Sequence, residues 1–445
     1  MQPEYQKELR AILDAGLAAV APDGALARHV RLQGDHLLVG DAPYALESRR
    51  LLVVGAGKGA APMAAALEEL LGDRLTQGLV VVKEGHGLPL ARIRLAEASH
   101  PVPDERGESA THEMLRMAQS AGEHDLVICL VTGGASALTP ALATGITLAD
   151  MRRTTELLLE CGASIHEMNA VRKHLSVYTG GRLAAAAAPA PVLTLIVSDV
   201  VGDNLDVIGS GPTAPDASTF AQCMDIVRRF GIRERLPAPV LLRLADGAAG
   251  MISETPKAND PLFLHVRNEL IATNRQALDA AAEAAKKLGY VPRILTASLT
   301  GESRQNAREL AEQACREAEA LHAGDPPLCL LFGGETTLSV HGRGRGGRNM
   351  EMAVIAAQGL RGRKGIAAVF ADTDGTDGPT DAAGGFASGS TLDEAAKLGL
   401  DPQPYLDNND CYVFLEKCGH LLVTGPTRTN VMGMGIFLAH APGNG

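Results

Sequence analysis

The chain has 445 residues, more than one hydrophobic core usually organises, so two domains are expected. A formal net charge of −11 without a Lys/Arg-rich run excludes a nucleic-acid or anionic-membrane surface from the expected functions, and seven cysteines without a CxxC pair do not read as a disulfide framework. Hydrophobic residues at 46% and charged residues at 21% are ordinary globular values, while 49 glycines and no tryptophan point to many places where the backbone turns tightly or approaches a ligand.

The opening MQPEYQKELRAILDAGLAAV is amphipathic and has no long apolar centre. No stretch approaches about 18 uninterrupted apolar residues, so neither a signal peptide nor a membrane span is expected, and reduced thiols suggest the cytoplasm. From Leu51 to Thr213 short apolar runs recur at 51–54, 79–82, 126–131 and 192–197. Continuous apolar strands of that length predict a parallel sheet covered by helices on both faces. All but the second run straight into a turn containing Gly or Ser, and ligands in such sheets sit beyond the carboxyl ends of the strands.

The first of these turns is Gly55-Ala-Gly57-Lys58-Gly59-Ala60, followed by the helix-like APMAAALEELL. Glycines let an anion approach the backbone, and a helix N-terminus offers it free N–H groups. The same residues match the dinucleotide pattern G-x-G-x-x-A. The acidic residue that pattern needs could only be Glu84, about thirty residues on instead of about twenty, and a lysine inside the loop suits a phosphate or carboxylate better. A purely structural turn is the competing reading. A second turn carries Thr132, Gly133, Gly134 and Ser136, and a third Gly209, Ser210, Gly211 and Thr213; both have the glycines and hydroxyls of an anion-binding nest, although tight-turn geometry also explains the glycines. Between them, Ser164 and Glu167 form a capping-box pattern that places Asn169, Arg172, Lys173 and Ser176 on adjoining parts of one helical face, with Val171 and Leu175 inward; the solvated face of an ordinary helix is the competing reading.

Residues 235–262 lack a clear period and predict a linker, with a domain boundary near residue 245. Beyond it, Thr273/Asn274 cap a helix ending at Gly289, residues 293–297 read as a strand, and 303–322 carry apolar residues at helical spacing. Strands follow at 328–332 and 367–371, so the second half is again α/β. Gly333 and Gly334 sit at a strand end. Asp199, Asp203 and Glu335 offer the hard oxygens that Mg²⁺ prefers, with helix capping as the alternative. Arg343, Arg345 and Arg348 gather three guanidinium groups among glycines, which suits delivery of charge to a phosphate. Asp372, Asp374, Asp377 and Asp381 crowd four carboxylates together, which a cation or a donor network would relieve. A GxxxxGK[ST] loop and the protein-kinase HRD and DFG signatures are absent, so phosphoryl transfer here would belong to none of the commonest kinase folds.

Taken together, GAGKGA (55–60), SHPVPDERG (99–107), TGGASAL (132–138), SIHEMNAVRKHLS (164–176), SDVVGDNLDVIGSGPTAPD (198–216), FGGETT (332–337), GRGGRNME (344–351), TDGTDGPTDAAG (373–384) and TGPTRTNV (424–431) resemble the class II glycerate kinase family, in order along nearly the whole chain. The resemblance implies a Rossmann-like N-terminal domain with a mostly parallel sheet, placed at 1–245, and a MOFRL-type α/β domain at 246–445, with the active site in the cleft between them. It also implies transfer of the ATP γ-phosphoryl group to D-glycerate, giving 2-phosphoglycerate, with Mg²⁺ as cofactor. Lys58 and Arg348 fall on the family's catalytic candidates. On this reading Gly55, Gly57, Thr132, Gly133, Gly134, Ser136, Gly209, Ser210, Gly211, Thr213, Gly333 and Gly334 hold the ATP phosphates. Asn169, Arg172 and Lys173 are assigned to glycerate, Asp203, Glu335 and Asp377 to Mg²⁺, and Asp199 to orienting or deprotonating the acceptor hydroxyl. Asn204 stands where the family commonly has an acidic residue, which removes a two-carboxylate site at 203–204. Two other readings are an NAD(P)H-dependent hydroxypyruvate reductase and a non-catalytic sensor of an acidic metabolite. Neither nucleic acid nor membrane is an expected partner, and a homodimer is left open.

Overall fold

The structure, a computed structural model, describes residues 1–441. They form two compact units. The first comprises Ala25–Val197 and Asp203–Ile271; the second comprises Met1–Gly24, Ser198–Gly202 and the chain from Ala272 onward.

The first unit is built on a six-stranded sheet in the order Ile93–Ala98, Leu75–Lys83, Leu51–Ala56, Leu126–Val131, Val192–Val197, Val266–Ala272. Its first five strands pair in parallel, with Val53 beside Ile128 and Ile128 beside Leu193. The three central strands are buried along their whole length, which is why their sequences are continuous apolar runs instead of alternating ones. A small antiparallel sheet of Val30–Gln33, His36–Val39 and Ala42–Ala45 lies outside the sequence-based expectation.

Beside the sheet, the helices Leu148–Glu160, Ile165–Leu175, Phe220–Arg229 and Ala238–Ala248 share a separate apolar cluster that includes Leu157, Val171, Phe220, Val240 and Leu244. The capping box of Ser164 and Glu167 forms as expected. Ala238–Ala248 replaces the expected linker. Its buried Val240, Leu244 and Gly247 follow helical spacing, and Gly247 lies so close to Phe220 that a Cβ would stand 2.2 Å from the ring. This helix and most of the strand Val266–Ala272 lie in the first unit, whose last residue is Ile271.

In the second unit the sheet order is Val291–Leu299, Leu328–Gly334, Gly433–Ala439, Ile366–Asp372, Gly384–Ser388, Leu421–Leu422. Only the first pair is parallel. Phe332, Phe370 and Phe437 pack together on this sheet. The N-terminal helix Pro3–Ala19 belongs here, where a Cβ on Gly16 would stand 2.7 Å from Met434 Cε. The Thr273 capping box opens the helix Asn274–Lys287, and Ser303–Glu319 is helical as its spacing implies.

Candidate active site

Two interlocked turns stand at the carboxyl ends of the first unit's central strands. Gly57 (φ 141°) lies where a Cβ would be 2.0 Å from Thr132 Oγ1. Lys58 N–H donates to the Gly133 carbonyl (2.9 Å), Gly59 N–H to Thr132 Oγ1 (3.0 Å), and Thr132 N–H to the Ala56 carbonyl (3.1 Å). Gly55 N–H points at Met114 Sδ (3.4 Å) and Gly57 N–H at the Val81 carbonyl (3.1 Å). The expectation that Gly55 and Gly57 cradle an anion is therefore corrected. Their donors are spent, and their missing side chains serve the close approach of two strands. Thr132 likewise uses its hydroxyl oxygen as an acceptor within the loop.

The open donors lie one turn further along. Among the described residues, the N–H groups of Gly133 and Gly134 have no acceptor. Gly134 adopts φ 85°, and Lys58 and His100 flank it, the added Cβ standing 3.4 Å from Lys58 Cγ and 2.9 Å from His100 Nε2. Two successive free N–H groups of this kind beside a lysine side chain have the makings of an anion-binding nest. Ser136 joins it, with its hydroxyl 2.8 Å from that of Ser210. Gly209, Ser210 and Gly211 all have positive φ, but Ser210 and Gly211 donate to the carbonyls of Val207 and Ile208, so this segment presents a hydroxyl and not a nest. Thr213 is buried in a chain of hydrogen bonds with Thr194 and Asn268, away from these donors.

His100, within the SHPVPDERG segment, also stands at this turn. Burial, together with the charges of Lys58, Lys83 and His86, pushes its pKa down to about 4, so its imidazole is neutral near pH 7. His86 places Nδ1 3.1 Å from the Lys58 carbonyl. Lys83, His86 and His100 thus surround the Lys58 turn, and a strand end followed by scattered basic residues was the only signal for them in the sequence.

On the helix Ile165–Leu175, Lys173 is buried and paired with Asp206 (3.2 Å) and Asp216 (3.4 Å), which makes it a structural cation and not a substrate-facing one. Asn169 is buried on the same helix, and Arg172 lines a hollow with Pro101 and Leu159. Asp203 takes φ 55°, with its Oδ1 buried and, among the described residues, without a hydrogen-bond partner.

In the second unit Arg348 opens the helix Arg348–Leu360 and is gripped on two sides, donating to Glu335 Oε1 (2.8 Å) and Asp372 Oδ2 (2.6 Å). It lines a cavity of about 600 Å³ with Glu335, Thr336, Asp372 and Val201. Asp199 lies two residues before Val201 in the same turn. Burial, with Asp374 and Asp377 nearby, pushes the Asp372 carboxyl up to about 7 against the pull of Arg348. Asp377 accepts from Asn349 N–H and Nδ2 (both 3.2 Å) and Met350 N–H (2.7 Å), so its oxygens cap the helix from the wall of the same cavity. Gly347 is required beside it, since a Cβ there would stand 2.4 Å from the Asp377 carboxylate. Gly333 and Gly334 face Asn274 and Leu299 at 2.0 and 2.3 Å from an added Cβ, which makes them packing glycines. Arg345 stacks over the Tyr412 ring at 4.1 Å, leaving Arg348 as the arginine of its loop that lines the cavity. Among the described residues no three His, Cys, Asp or Glu side chains converge as a metal site, and no helix is long and apolar enough to cross a membrane.

A family model described as a domain of unknown function (DUF4147) matches residues 8–245, and the MOFRL family model matches residues 328–433. A glycerate 2-kinase of Pyrococcus horikoshii is 39% identical over 421 residues, covering 94% of each chain. A D-glycerate 2-kinase of Thermotoga maritima is 39% identical over 431 residues, covering 96% of this chain and 97% of its own. A provisionally named hydroxypyruvate reductase of Agrobacterium vitis is 41% identical over 427 residues, covering 95% and 92%. The crystal structure of a Thermotoga maritima glycerate kinase matches with a TM-score of 0.87 at 39% identity, covering 98% of this chain and 100% of that one. Matched over nearly its whole length by two kinases and sharing the fold of a glycerate kinase crystal structure, this protein belongs to the glycerate kinase family.

Proposed function

We propose that the protein transfers the γ-phosphoryl group of ATP to the 2-hydroxyl of D-glycerate, giving 2-phosphoglycerate and ADP. The observation that carries this reading is the turn where Lys58 and His100 flank the two free N–H groups of Gly133 and Gly134 at the ends of a parallel sheet. Phosphoryl transfer needs little covalent chemistry from a protein. It needs reactants held in line and charge neutralised, which is what free N–H donors and an ammonium supply.

On this reading the Gly133–Gly134 donors and the Ser136 hydroxyl hold phosphate oxygens, while Lys58 and Arg348 stabilise charge on the moving group. Asp199 orients or deprotonates the acceptor hydroxyl. For Mg²⁺ each unit offers one carboxylate of the right hardness. Asp203 Oδ1 is a buried carboxylate oxygen with no partner among the described residues, and the Glu335 side chain is 48% exposed and free to turn one oxygen outward. When bound, Mg²⁺ neutralises phosphate charge, taking its other ligands from phosphates and water. All seven cysteines are free thiols, which suits a cytoplasmic location.

The Agrobacterium relative's name keeps a reductase in view. Against it, Glu84, the acidic residue a dinucleotide would need, is held by Arg106 at 3.1 Å. The test is to incubate the protein with ATP, Mg²⁺ and D-glycerate and identify products by phosphorus NMR. 2-Phosphoglycerate that fails to form in excess EDTA is expected. Exclusive 3-phosphoglycerate, or NADH oxidation with hydroxypyruvate in place of ADP release, would overturn the reading.

A further inference from the structure

The first unit holds an apolar hollow of about 310 Å³ that no step above uses. Its walls include Pro101, Val102, Leu148, Met151, Leu159 and Arg172. Val102 and Leu159 are 50% and 59% exposed, so apolar surface converges there without a cover. No aromatic side chain lines it.

Arg172 is the unusual wall. Among the described residues its guanidinium has no hydrogen bond and no ion pair, and burial alone pushes its pKa down, with no carboxylate opposing. A half-buried guanidinium without an anion offers its plane for stacking on the face of a π-system. The protein supplies no such ring here, which leaves that face open to a ligand.

The hollow's position says which ligand. Pro101 is joined directly to His100, which flanks the Lys58 and Gly134 phosphate turn. A planar base seated against Pro101 and Arg172 would therefore lead into that turn through its own phosphates. On the same wall, Thr155 spends its proton on the Met151 carbonyl (2.9 Å) and Glu156 is met only by Arg153 at 3.5 Å. Both present acceptors. An exocyclic amine donates to them, whereas a ring carbonyl in that place would face them with like partial charge.

We infer that this hollow seats the adenine ring of ATP, stacked on the Arg172 guanidinium, with its amine toward Thr155 and Glu156. This rests on the proposed use of ATP and takes Arg172 from the acceptor to the nucleotide. Its consequence is selection of ATP over GTP.

The experiment combines steady-state kinetics with calorimetry on the whole chain, comparing wild type, Arg172→Ala and Leu159→Gln, the last a surface-exposed position that folding tolerates. Wild-type turnover with ATP and D-glycerate tests the kinase reading; the variants test the hollow. Both variants should raise KM for ATP, Arg172→Ala by about tenfold for loss of one desolvated cation–π contact. KM for D-glycerate and the affinity for inorganic tripolyphosphate should stay at wild-type values. Unchanged KM for ATP in both variants overturns the inference. So does Arg172→Ala raising KM for D-glycerate alone, which would return this arginine to the acceptor's carboxylate, and so does equal use of GTP.

Discussion

Arg348 and Asp372 are joined by a 2.6 Å ion pair in which the carboxylate, although paired, is pushed up to about 7 by its burial and by Asp374 and Asp377. A pair of this kind places a guanidinium rigidly in a cavity at the cost of a desolvated anion behind it. Arg348→Ala should lower kcat by about 10²–10³-fold, as for loss of one preorganised charge-stabilising donor. It also leaves Asp372 buried without its cation. A folded-state pKa above the unfolded value means that the group's stability contribution is present at low pH and lost as pH rises from about 4 to about 7. The Arg348→Ala protein should therefore melt lower at pH 8 than at pH 5.5, and adding Asp372→Asn should restore the melting temperature but not kcat. Thermal scans at the two pH values check the first part, and turnover of the double variant the second.

Asp377 caps the helix that carries Arg348 with three N–H bonds. Asp377→Ala should cost about 0.5–2 kcal/mol for the lost cap, read by urea denaturation. The Mg²⁺ concentration giving half-maximal rate should not move. A shift in that concentration without loss of stability would make Asp377 a metal ligand after all.

His100 is held neutral beside Lys58. Its folded pKa of about 4 lies below the usual histidine value, so between those two values the unfolded chain binds a proton that the folded chain refuses. Stability is then full above about 6.5 and lost as pH falls toward 4. His100→Asn should melt with a smaller drop between about pH 7 and pH 5 than wild type. A drop as large in the variant as in wild type would mean that His100 titrates like an exposed histidine.

Much of this was legible in the sequence, and the part that was not has a physical pattern. Runs such as LVICLV (126–131) announced a buried parallel strand because burial on both faces removes alternation. Ser164 and Glu167 announced a helix start because a capping box is a local contact. Glycine was ambiguous. Gly57 and Gly333 looked like Gly133 and Gly134, yet the first two make room for Thr132 and Asn274 while the latter two offer free donors, a difference set by residues far away in sequence. Lys173 and Asp377 were ambiguous for the same reason, since their partners, Asp206 and Asp216 for the one and a helix terminus for the other, are brought near only by the fold. The helix Ala238–Ala248 hid because its small apolar face is satisfied by Phe220 and its neighbours in a side cluster.

The account stands or falls on Lys58, which it places over free backbone donors as a cation for the moving phosphoryl group. The decisive measurement is kcat for wild type, Lys58→Ala and Lys58→Arg with ATP and D-glycerate, each variant first shown to be folded. Lys58→Ala should lower kcat by about 10²–10³-fold, and Lys58→Arg should recover only part of it, because a planar fork does not replace a compact ammonium between two tightly packed glycine turns. Wild-type kcat in Lys58→Ala would contradict the account and reduce the GAGK loop to a packing element between two strands.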